Sequence, residues 1–450
     1  MAQDFRSFIK LIEETDPSVI KRFKEEVKPE YEITALMMEY EKMHYYPLLV
    51  FENVKGYDIP VMTNVIGTRK RIAASLGIGA SELVDVYSHR SKTRPEPKLL
   101  SEAPLQENVY IGDQVDLKRL PILTHFPIDG GPYITAGLVV TKDPYSGAST
   151  LGYHRMQLKG KNRLGISLHS RKRIWEYQRR AEEMGKHLEA AVIIGNHPVL
   201  SLGSMALMPY HEGKFELLGG LFQEPLEVVQ CRTIDLTVPA GSEIVIEGEI
   251  LSGVREPEGP FGEFTGYACF RSTEHVFRVK AITHRNNPIY QSVCPGYCAE
   301  HNTVLAVHRE GDLLEALRRS LPNVKAVHVP HSGCGIFHAY ISIKKTAEGQ
   351  AKQAIFTAFG IDHCLKLVAV VDEDVDVFNE PEVLWAMSTR LQAAGGVNIT
   401  PGGMGVILDP SSTEDARSDK LGIDATKPIA KFAPTLTFPE EIKQSIKRLL

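Results

Sequence analysis

The sequence contains one stiff, acidic stretch, Arg255-Glu256-Pro257-Glu258-Gly259-Pro260-Phe261-Gly262-Glu263-Phe264-Thr265-Gly266-Tyr267, from which the other segments can be interpreted. A Gly-Pro-Phe-Gly turn separates Glu258 from Glu263, so neither a helical period nor strand alternation sets the spacing of the two acids. Prolines restrict φ and glycines permit unusual angles, which favours a tight turn that aims both carboxylates at one cavity. Paired acids in a desolvated turn are typical of proton transfer. A turn with two solvated glutamates is the alternative.

Composition bounds the class of protein. The chain has 450 residues, of which 43% are apolar and 24% charged, so it can form two or three globular cores. The net charge of -5, with scattered basic residues, favours neither nucleic acid nor an anionic membrane as a partner. The amino terminus lacks the pattern of a secretory signal, and no apolar run reaches membrane-spanning length. We therefore expect a cytoplasmic protein.

Cysteine usage agrees with a reducing compartment, because six cysteines in so long a chain are too few for a disulfide framework. The Cys294-Pro-Gly-Tyr-Cys298 pair could hold a metal, but its spacing is wrong for a zinc knuckle and no second pair follows. We expect buried thiols.

Residues 1–112 form the first predicted domain, of α/β type. Residues 4–45 have the pattern of helices, and Asp16-Pro17 has the pattern of a helix start. Strands are predicted at 47–54 and 59–66, and helices at 68–76 and 81–91. A proline-rich extended connection follows, with a domain boundary near residues 100–115.

The second predicted domain, residues 113–304, is rich in short strands, which indicates a barrel or sandwich able to hold a ligand. The predicted strands are 133–142, 153–159, 165–169, 191–194, 234–238, 243–250 and 275–284, with one helix at 171–184. Residues 305–450 alternate helix and strand and predict a separate α/β domain, with helices at 312–321, 347–359 and 381–391 and strands at 324–329, 339–343 and 367–372. A terminal helix, 439–450, could pack on another subunit or on its own chain.

Four side chains outside the turn carry candidate chemistry. Arg155 beside Glu258 would form a fixed guanidinium–carboxylate pair that binds a substrate carboxylate and leaves the other acid to move protons. His169 and Glu216 suit Mn(II) or Mg(II) near a phosphate, and Lys366 could reach that phosphate. Backbone carbonyls of the segment 203–209 could bind a cation. Taken singly, residues of these types more often have structural roles: a surface salt bridge for Arg155, and a solvated strand end for Lys366.

Several motifs, in this order, resemble the UbiD family of prenylated-flavin-dependent decarboxylases over nearly the whole chain. They are Leu151-Gly-Tyr-His-Arg-Met-Gln157, Leu168-His-Ser-Arg-Lys172, Phe215-Glu-Leu-Leu-Gly-Gly220, 234–248, Pro257-Glu-Gly-Pro-Phe-Gly-Glu263, 371–376 and Lys420-Leu-Gly-Ile-Asp-Ala425. The resemblance implies an α+β, multidomain fold, in which a central split β-barrel like that of flavin reductases lies between amino-terminal and carboxy-terminal α/β domains. It also implies prenylated FMN made by a partner flavin prenyltransferase, with Mn(II) and K(I) at the cofactor phosphate, in a homodimer or homohexamer.

The resemblance assigns site residues by position. Arg155, Glu258 and Glu263 match the catalytic Glu-Arg-Glu network. His169 and Glu216 match two manganese ligands, while Thr150 stands where many members place an asparagine ligand, and Leu168 replaces the usual glutamine before the histidine. Met208-Pro209 matches a segment that contacts potassium and flavin, and Lys366 matches a phosphate-binding lysine. The implied cofactor contacts are Thr150, Leu151, Gly152, Tyr153, His154, Arg155, Leu168, His169, Met208, Pro209, Glu216 and Lys366.

The implied reaction is the reversible, non-oxidative decarboxylation of an aromatic or heteroaromatic acid to release CO2. Glu263 would donate the proton that replaces CO2, Arg155 would orient the carboxylate, and Glu258 would hold Arg155. His301 and Arg309 resemble the pair that grips the second carboxylate in furan-2,5-dicarboxylate decarboxylases of this family, although Arg309 could be a surface residue. We therefore expect a substrate of the furan-2,5-dicarboxylate or pyrrole-2-carboxylate type.

Two other functions remain open from the sequence. A flavin reductase with the same barrel would use ordinary FMN. In that case the paired glutamates would have no catalytic role. A non-catalytic flavin-binding or metal-binding assembly subunit is the other alternative, which the Thr150 substitution would allow.

Overall fold

The structure is a computed structural model that describes residues 2–168, 173–270 and 272–449. Its strands form a four-stranded amino-terminal sheet, a nine-stranded central sheet and a five-stranded carboxy-terminal sheet, with two small sheets beside them. Helices cover or connect these sheets. The mixed α+β, multidomain architecture expected from the sequence is confirmed.

The amino-terminal sheet has the order β1-β2-β3-β18, so its last strand comes from much later in the chain. Apolar residues of β2 are fully buried, and the apolar face of α1 packs in the same core as the middle of the chain. The elements are α1 Phe5–Thr15, β1 Ile20–Phe23, α2 Glu32–Lys42, β2 Leu48–Phe51, β3 Val61–Thr63, α3 Arg69–Ser75, α4 Leu83–Arg90 and β18 Tyr290–Gln291.

The central sheet is antiparallel and has the order β6-β9-β10-β17-β14-β11-β7-β8, with β5 paired to β17. Its two long strands, β14 and β17, run beside each other and carry the pairing as far as Glu258↔Ser272. The elements are β4 Lys98–Leu100, β5 Asn108–Ile111, β6 Tyr133–Ile134, β7 Leu138–Lys142, β8 Ser149–Tyr153, β9 Met156–Gly160, β10 Arg163–Ile166, α5 Arg173–Glu183, β11 Leu188–Ile194, α6 Pro198–Ser204, α7 Lys214–Phe222, β12 Glu227–Gln230, β13 Thr237–Pro239, β14 Ile244–Glu258, β15 Phe261–Gly262, β16 Ala268–Cys269 and β17 Ser272–His284.

The carboxy-terminal sheet has the order β19-β20-β21-β23-β22, and its central pairs are parallel. Helix α8 enters this unit and packs its far end on the sheet. The elements are α8 Ala299–Ser320, β19 Val324–His328, β20 His338–Ile343, α9 Gln350–Ile361, β21 Leu367–Asp372, α10 Glu380–Arg390, α11 Ala393–Gly396, β22 Val397–Met404, β23 Arg417–Ala425 and α12 Glu440–Ile446.

Several predictions about elements were wrong. Residues 20–23 form strand β1 rather than helix, because they pair in parallel with β2. The proline at 17 begins only a short 3-10 turn, and Asp16 makes no capping hydrogen bond there. Glu258 ends strand β14 rather than lying in a free loop, and α8 starts at Ala299, well before the predicted start at residue 312.

The amino-terminal and central units exchange strands. Strand β5, before the predicted boundary at residue 112, pairs with β17 of the central sheet. Strand β18, before the predicted boundary at residue 304, pairs with β3 of the amino-terminal sheet. These two units are therefore joined by backbone hydrogen bonds, and the predicted boundaries stay a proposal.

Two further observations concern the cysteines and the helices. No disulfide links the six cysteines, which all lie in the described part of the chain, and Cys294 and Cys298 are buried. Among the described residues, no helix combines the length and the apolar character needed to cross a bilayer.

Candidate active site

Three charged side chains that lie far apart in the sequence meet at one point. Arg155 follows β8, Glu258 ends β14, and Glu263 follows β15. The guanidinium donates from Nε to Glu258 Oε1 at 3.0 Å and from Nη2 to Glu258 Oε2 at 2.8 Å, and it donates from Nη1 to Glu263. The structure therefore brings together the guanidinium and both acids that the sequence singled out.

This cluster is almost completely shielded from solvent, which strengthens the attraction between its charges. The side chain of Arg155 is 9% exposed, and that of Glu258 is fully buried. Burial disfavours the charged guanidinium, but the hydrogen bonds that it donates to Glu258 and the charge of Glu263 outweigh this effect and raise the pKa of Arg155. A charge-assisted bidentate pair of this kind fixes the direction of the guanidinium.

Glu263 has the environment of a proton donor. Burial raises the pKa of Glu263, Arg155 opposes that shift, and the nearby charge of Glu258 adds to it. A carboxyl group with a raised pKa keeps its proton closer to neutral pH, as a general acid requires.

Aromatic rings line one side of the cluster. The Phe261 ring centroid lies 5.2 Å from the Arg155 guanidinium carbon and 4.5 Å from the ring of Tyr133. The ring of Phe264, which follows Glu263 in the sequence, lies 5.9 Å from both Phe337 and His301. Residues of the carboxy-terminal unit therefore contact the segment that carries Glu263.

Two orphaned oxygen atoms mark a second polar region. Thr150 Oγ1 and Glu216 Oε2 are buried and find no hydrogen-bond partner among the described residues. A hydroxyl and a carboxylate oxygen suit a hard divalent cation, and buried polar atoms normally have partners. These two predicted ligands therefore fit a metal ion. His169, the third predicted ligand, lies outside the described residues.

Lys214 belongs to this region and was missed by the sequence analysis. Its ammonium is buried, lies 3.3 Å from the carbonyl oxygen of Leu151, and also donates to Ser204. This contact places the first turn of α7, which carries Glu216, against β8. The signal in the sequence was a lysine two positions before Glu216 on an otherwise apolar helix.

The remaining predicted cofactor contacts lie around β8 and after α6. Tyr153 hydrogen-bonds Ser201 at 2.7 Å, His154 Nδ1 pairs with the carbonyl of Ser167 at 2.9 Å, and Leu168 is buried. The carbonyl oxygens of Met208 and Pro209 accept hydrogen bonds from the Arg173 guanidinium, at 2.5 and 2.6 Å. Gly152 lies within β8.

Lys366 is held in the carboxy-terminal unit. Its ammonium lies 2.7 Å from Asp409 Oδ2 and donates to Ser411 at 2.5 Å. It also lies 5.4 Å from the centroid of Phe337, the ring that contacts Phe264. The Phe337 ring therefore links Lys366 to the segment that carries Glu263. The charge of Lys366 is neutralised by Asp409.

His301 and Arg309 both lie on α8, eight residues apart, so about 12 Å separates them along the helix axis. His301 packs its ring edge against Phe264, and burial lowers its pKa to about 4, so the imidazole is neutral at pH 7. Arg309 is largely buried rather than on the surface, and it forms an ion pair with Asp362. The structure does not bring the two side chains into contact with each other.

A separate cleft of about 440 Å³ lies between the amino-terminal and central sheets. Its walls include Tyr57, Tyr110, Arg119 and His284, and no predicted site residue lines it. The clustered charges and orphaned oxygens therefore define the candidate site, rather than this cleft.

Comparisons with known proteins show the family to which the chain belongs. Three domains described for 3-octaprenyl-4-hydroxybenzoate carboxy-lyase match in sequence: the N-terminal domain over residues 17–91, the Rift-related domain over residues 98–298 and the C-terminal domain over residues 302–425. The chain is 35% identical to anhydromevalonate phosphate decarboxylase from Methanothermobacter thermautotrophicus, covering 90% of this chain and 93% of that protein. It is 34% identical to phenolic acid decarboxylase from Bacillus subtilis, covering 95% and 93%.

Solved structures of the same class superpose over the full length. The UbiD-class enzyme HmfF from Pelotomaculum thermopropionicum, in complex with FMN, is 39% identical, with a TM-score of 0.93 and coverage of 99% of this chain and 100% of that one. An evolved dimeric form of HmfF, in complex with prFMN, is 37% identical, with a TM-score of 0.90 and full coverage of both chains. The domain matches, the identities and the shared fold lead to one conclusion: this chain belongs to the UbiD family of carboxy-lyases.

Proposed function

We propose that the protein removes CO2 from an aromatic or heteroaromatic carboxylic acid with the help of prenylated FMN. The observation that carries this proposal is the buried contact of Arg155 with both Glu258 and Glu263. A flavin reductase has no use for such a cluster, whereas decarboxylation needs a carboxylate-binding cation and a proton donor.

Arg155 binds the substrate carboxylate while Glu258 holds the guanidinium from behind. Glu258 accepts from Nε and Nη2, so Nη1, which now donates to Glu263, is the donor that an incoming carboxylate competes for. When the substrate takes this donor, its carboxylate offsets the charge of Arg155 and Glu263 loses the Arg155 hydrogen bond, two effects that lower the pKa of Glu263, while burial and Glu258 still raise it. Substrate binding thereby favours the protonated form of Glu263.

These positions account for the one proton that the product needs in place of CO2. The bond between the ring carbon and the carboxylate breaks, CO2 leaves, and the carbon takes the proton of Glu263. When bound, prenylated FMN would supply the electron sink that holds the electron pair of the broken bond until protonation. A flavin prenyltransferase must make this cofactor.

Thr150 and Glu216 would hold Mn(II) beside the cofactor phosphate, together with His169. The orphaned oxygens of the first two residues support this role. Potassium is also proposed, at the carbonyls of Met208 and Pro209, but there it must share these oxygens with Arg173. Lys366 would bind the phosphate only after its ion pair with Asp409 breaks.

For the substrate, we propose a furan-2,5-dicarboxylate or pyrrole-2-carboxylate type. The resemblance of His301 and Arg309 to the carboxylate-binding pair of furan-2,5-dicarboxylate decarboxylases favours the furan type, and the neutral, half-buried His301 beside Phe264 supports a ring-binding wall. Arg309 would bind a second carboxylate in exchange for Asp362.

The test is to produce the protein together with a flavin prenyltransferase and to measure CO2 release from a panel of acids. Furan-2,5-dicarboxylate, pyrrole-2-carboxylate and a hydroxybenzoate should separate the substrate classes. Turnover that requires the prenylated cofactor and is absent with ordinary FMN supports the proposal. Nicotinamide-driven FMN reduction without CO2 release would reject it.

A further inference from the structure

A second loop, residues 125–130, is hydrogen-bonded to the turn between Glu258 and Glu263. Asp129 Oδ1 accepts the backbone N–H of Gly262 at 2.9 Å, across 133 residues of sequence. Its other oxygen, Oδ2, accepts the N–H groups of Phe126 at 2.8 Å and His125 at 3.2 Å. One carboxylate thus joins its own loop to the residue immediately before Glu263.

The backbones of the two loops also touch directly. The N–H of Gly130 donates to the carbonyl of Pro260 at 2.8 Å. A Cβ at position 130 would lie 2.4 Å from the Gly259 carbonyl oxygen, and one at position 262 would lie 2.4 Å from the Phe126 ring. Side chains at either glycine would force the loops apart, so the contact depends on their absence.

Displacement of this turn would move both the ring that lies against Arg155 and the carboxylate of Glu263. Phe261, whose ring lies 5.2 Å from the Arg155 guanidinium carbon, and Glu263 flank the amide that Asp129 holds. Burial raises the pKa of Asp129, while the backbone N–H groups that it accepts and, to a smaller extent, the charge of Arg155 oppose that shift. The carboxylate is therefore an anchor for the position of Glu263 and a part of the field around Arg155.

We propose that Asp129 is a positioning residue for the decarboxylation, which acts by holding the Gly262 amide so that Glu263 points at the reacting carbon. This inference rests on the proposed role of Glu263 as proton donor. Misplacing a reacting group by about 1 Å costs on the order of 100-fold in rate, so loss of the anchor should lower kcat. Substrate affinity should change less than kcat, because Arg155 keeps its two hydrogen bonds to Glu258.

Glu247 provides a matched control. It is a buried carboxylate on the same strand β14, and it accepts the N–H groups of Arg232 at 2.9 Å and Thr233 at 2.7 Å as well as the Thr233 hydroxyl. It therefore carries the same kind of structural bonds, at the opposite end of the strand from Glu258. A purely structural role for Asp129 predicts that the Asp129→Asn and Glu247→Gln variants behave alike.

The experiment compares these two variants, loaded with prenylated FMN, for kcat, KM, FMN affinity and amide exchange of the segment 259–266. We expect Asp129→Asn to lower kcat by about 10- to 100-fold, with KM and FMN affinity within threefold of wild type and faster exchange in that segment. We expect Glu247→Gln to lower only the melting temperature. A kcat of Asp129→Asn within twofold of wild type, or a loss that falls entirely on KM, would overturn the proposal.

A second variant keeps the proposal testable if Asp129→Asn folds poorly. Gly130→Ala leaves the Asp129 carboxylate intact but places a methyl group against the Gly259 carbonyl, and we expect the same selective loss of kcat. Unchanged turnover and exchange in Gly130→Ala would count against the anchor. Wild-type turnover tests the proposed function by itself, and amide exchange tests the anchor without turnover, so the two claims fail separately.

Discussion

At the scale of single residues, Arg155 uses its three donor positions for two different tasks. Two of them bind Glu258, whose side chain has no solvent contact, and the third binds Glu263. In the proposed mechanism only the third contact is exchanged, so the site would accept a carboxylate without leaving the buried Glu258 uncompensated. Removing Arg155 should therefore harm both folding and activity.

A double substitution tests this division of tasks. Arg155→Ala leaves Glu258 as an unpaired buried charge, which costs about 3–5 kcal/mol in comparable pairs and should lower the melting temperature by several degrees. Adding Glu258→Gln should restore part of the melting temperature but none of the CO2 release. Equal melting temperatures of wild type and Arg155→Ala would show that the pair is not structural.

The raised pKa of Glu263 gives the pH dependence a definite sign. A general acid works in its protonated form, so kcat should be constant at low pH and fall as pH rises through the pKa of Glu263 in the substrate complex. A pH profile of kcat measures this, and the residual rate of Glu263→Asp should retain a falling limb. A kcat that rises over the same range would contradict the assignment.

The residues of this cluster could be predicted because the turn from 255 to 267 combines proline, glycine and two acids in a rare pattern that also resembles a known family. Asp129 could not be predicted, since its contact with Gly262 spans 133 residues and leaves no local pattern. Lys214 was missed for a similar reason, because only the folded chain shows that its ammonium reaches carbonyls on β8 and α6.

At the scale of elements, β8 and the first turn of α7 build the proposed metal site from Thr150 and Glu216. Strand β14 carries Glu258 at its end, where the long pairing with β17 reaches Ser272. The sequence predicted a strand only to residue 250, because Ser252, Gly253 and the prolines interrupt the alternation there. The pairing continues past an irregularity between Ile250 and Arg255, a tertiary effect that local propensity does not report.

Substitutions at Thr150 test the proposed metal site. An amide carbonyl is a better ligand than a hydroxyl, so Thr150→Asn should raise Mn(II) affinity by about 10-fold, whereas Thr150→Val should lower it. Metal content after dialysis and titration with Mn(II) provide the measurement, and FMN affinity should follow the metal. Identical Mn(II) affinity in all three proteins would mean that residue 150 does not bind the metal.

At the scale of the whole molecule, the carboxy terminus has a face without a partner in the monomer. Every described residue of α12 is exposed, and Leu436, Phe438 and Leu449 are more than 70% exposed. Exposed apolar side chains in this number are typical of an interaction surface. We propose that a second copy of the chain covers them in the homodimer or homohexamer.

Charge placed on this face should break the assembly. The Ile442→Asp/Leu449→Asp variant should shift the mass in solution toward the monomer, as measured by size exclusion with light scattering. Met43→Asp is the control, because Met43 is a comparably exposed apolar residue, at 68%, on a different element. An unchanged mass of the double variant would place the subunit contact elsewhere.

The central claim is that Glu263 donates the proton that replaces CO2. The most direct measurement is the rate of CO2 release by the Glu263→Gln variant, compared with wild type at equal content of prenylated FMN. Glutamine keeps the shape and a hydrogen bond to Arg155 but has no acidic proton, so the rate should fall by at least about 100-fold. A Glu263→Gln rate within twofold of wild type would contradict the account.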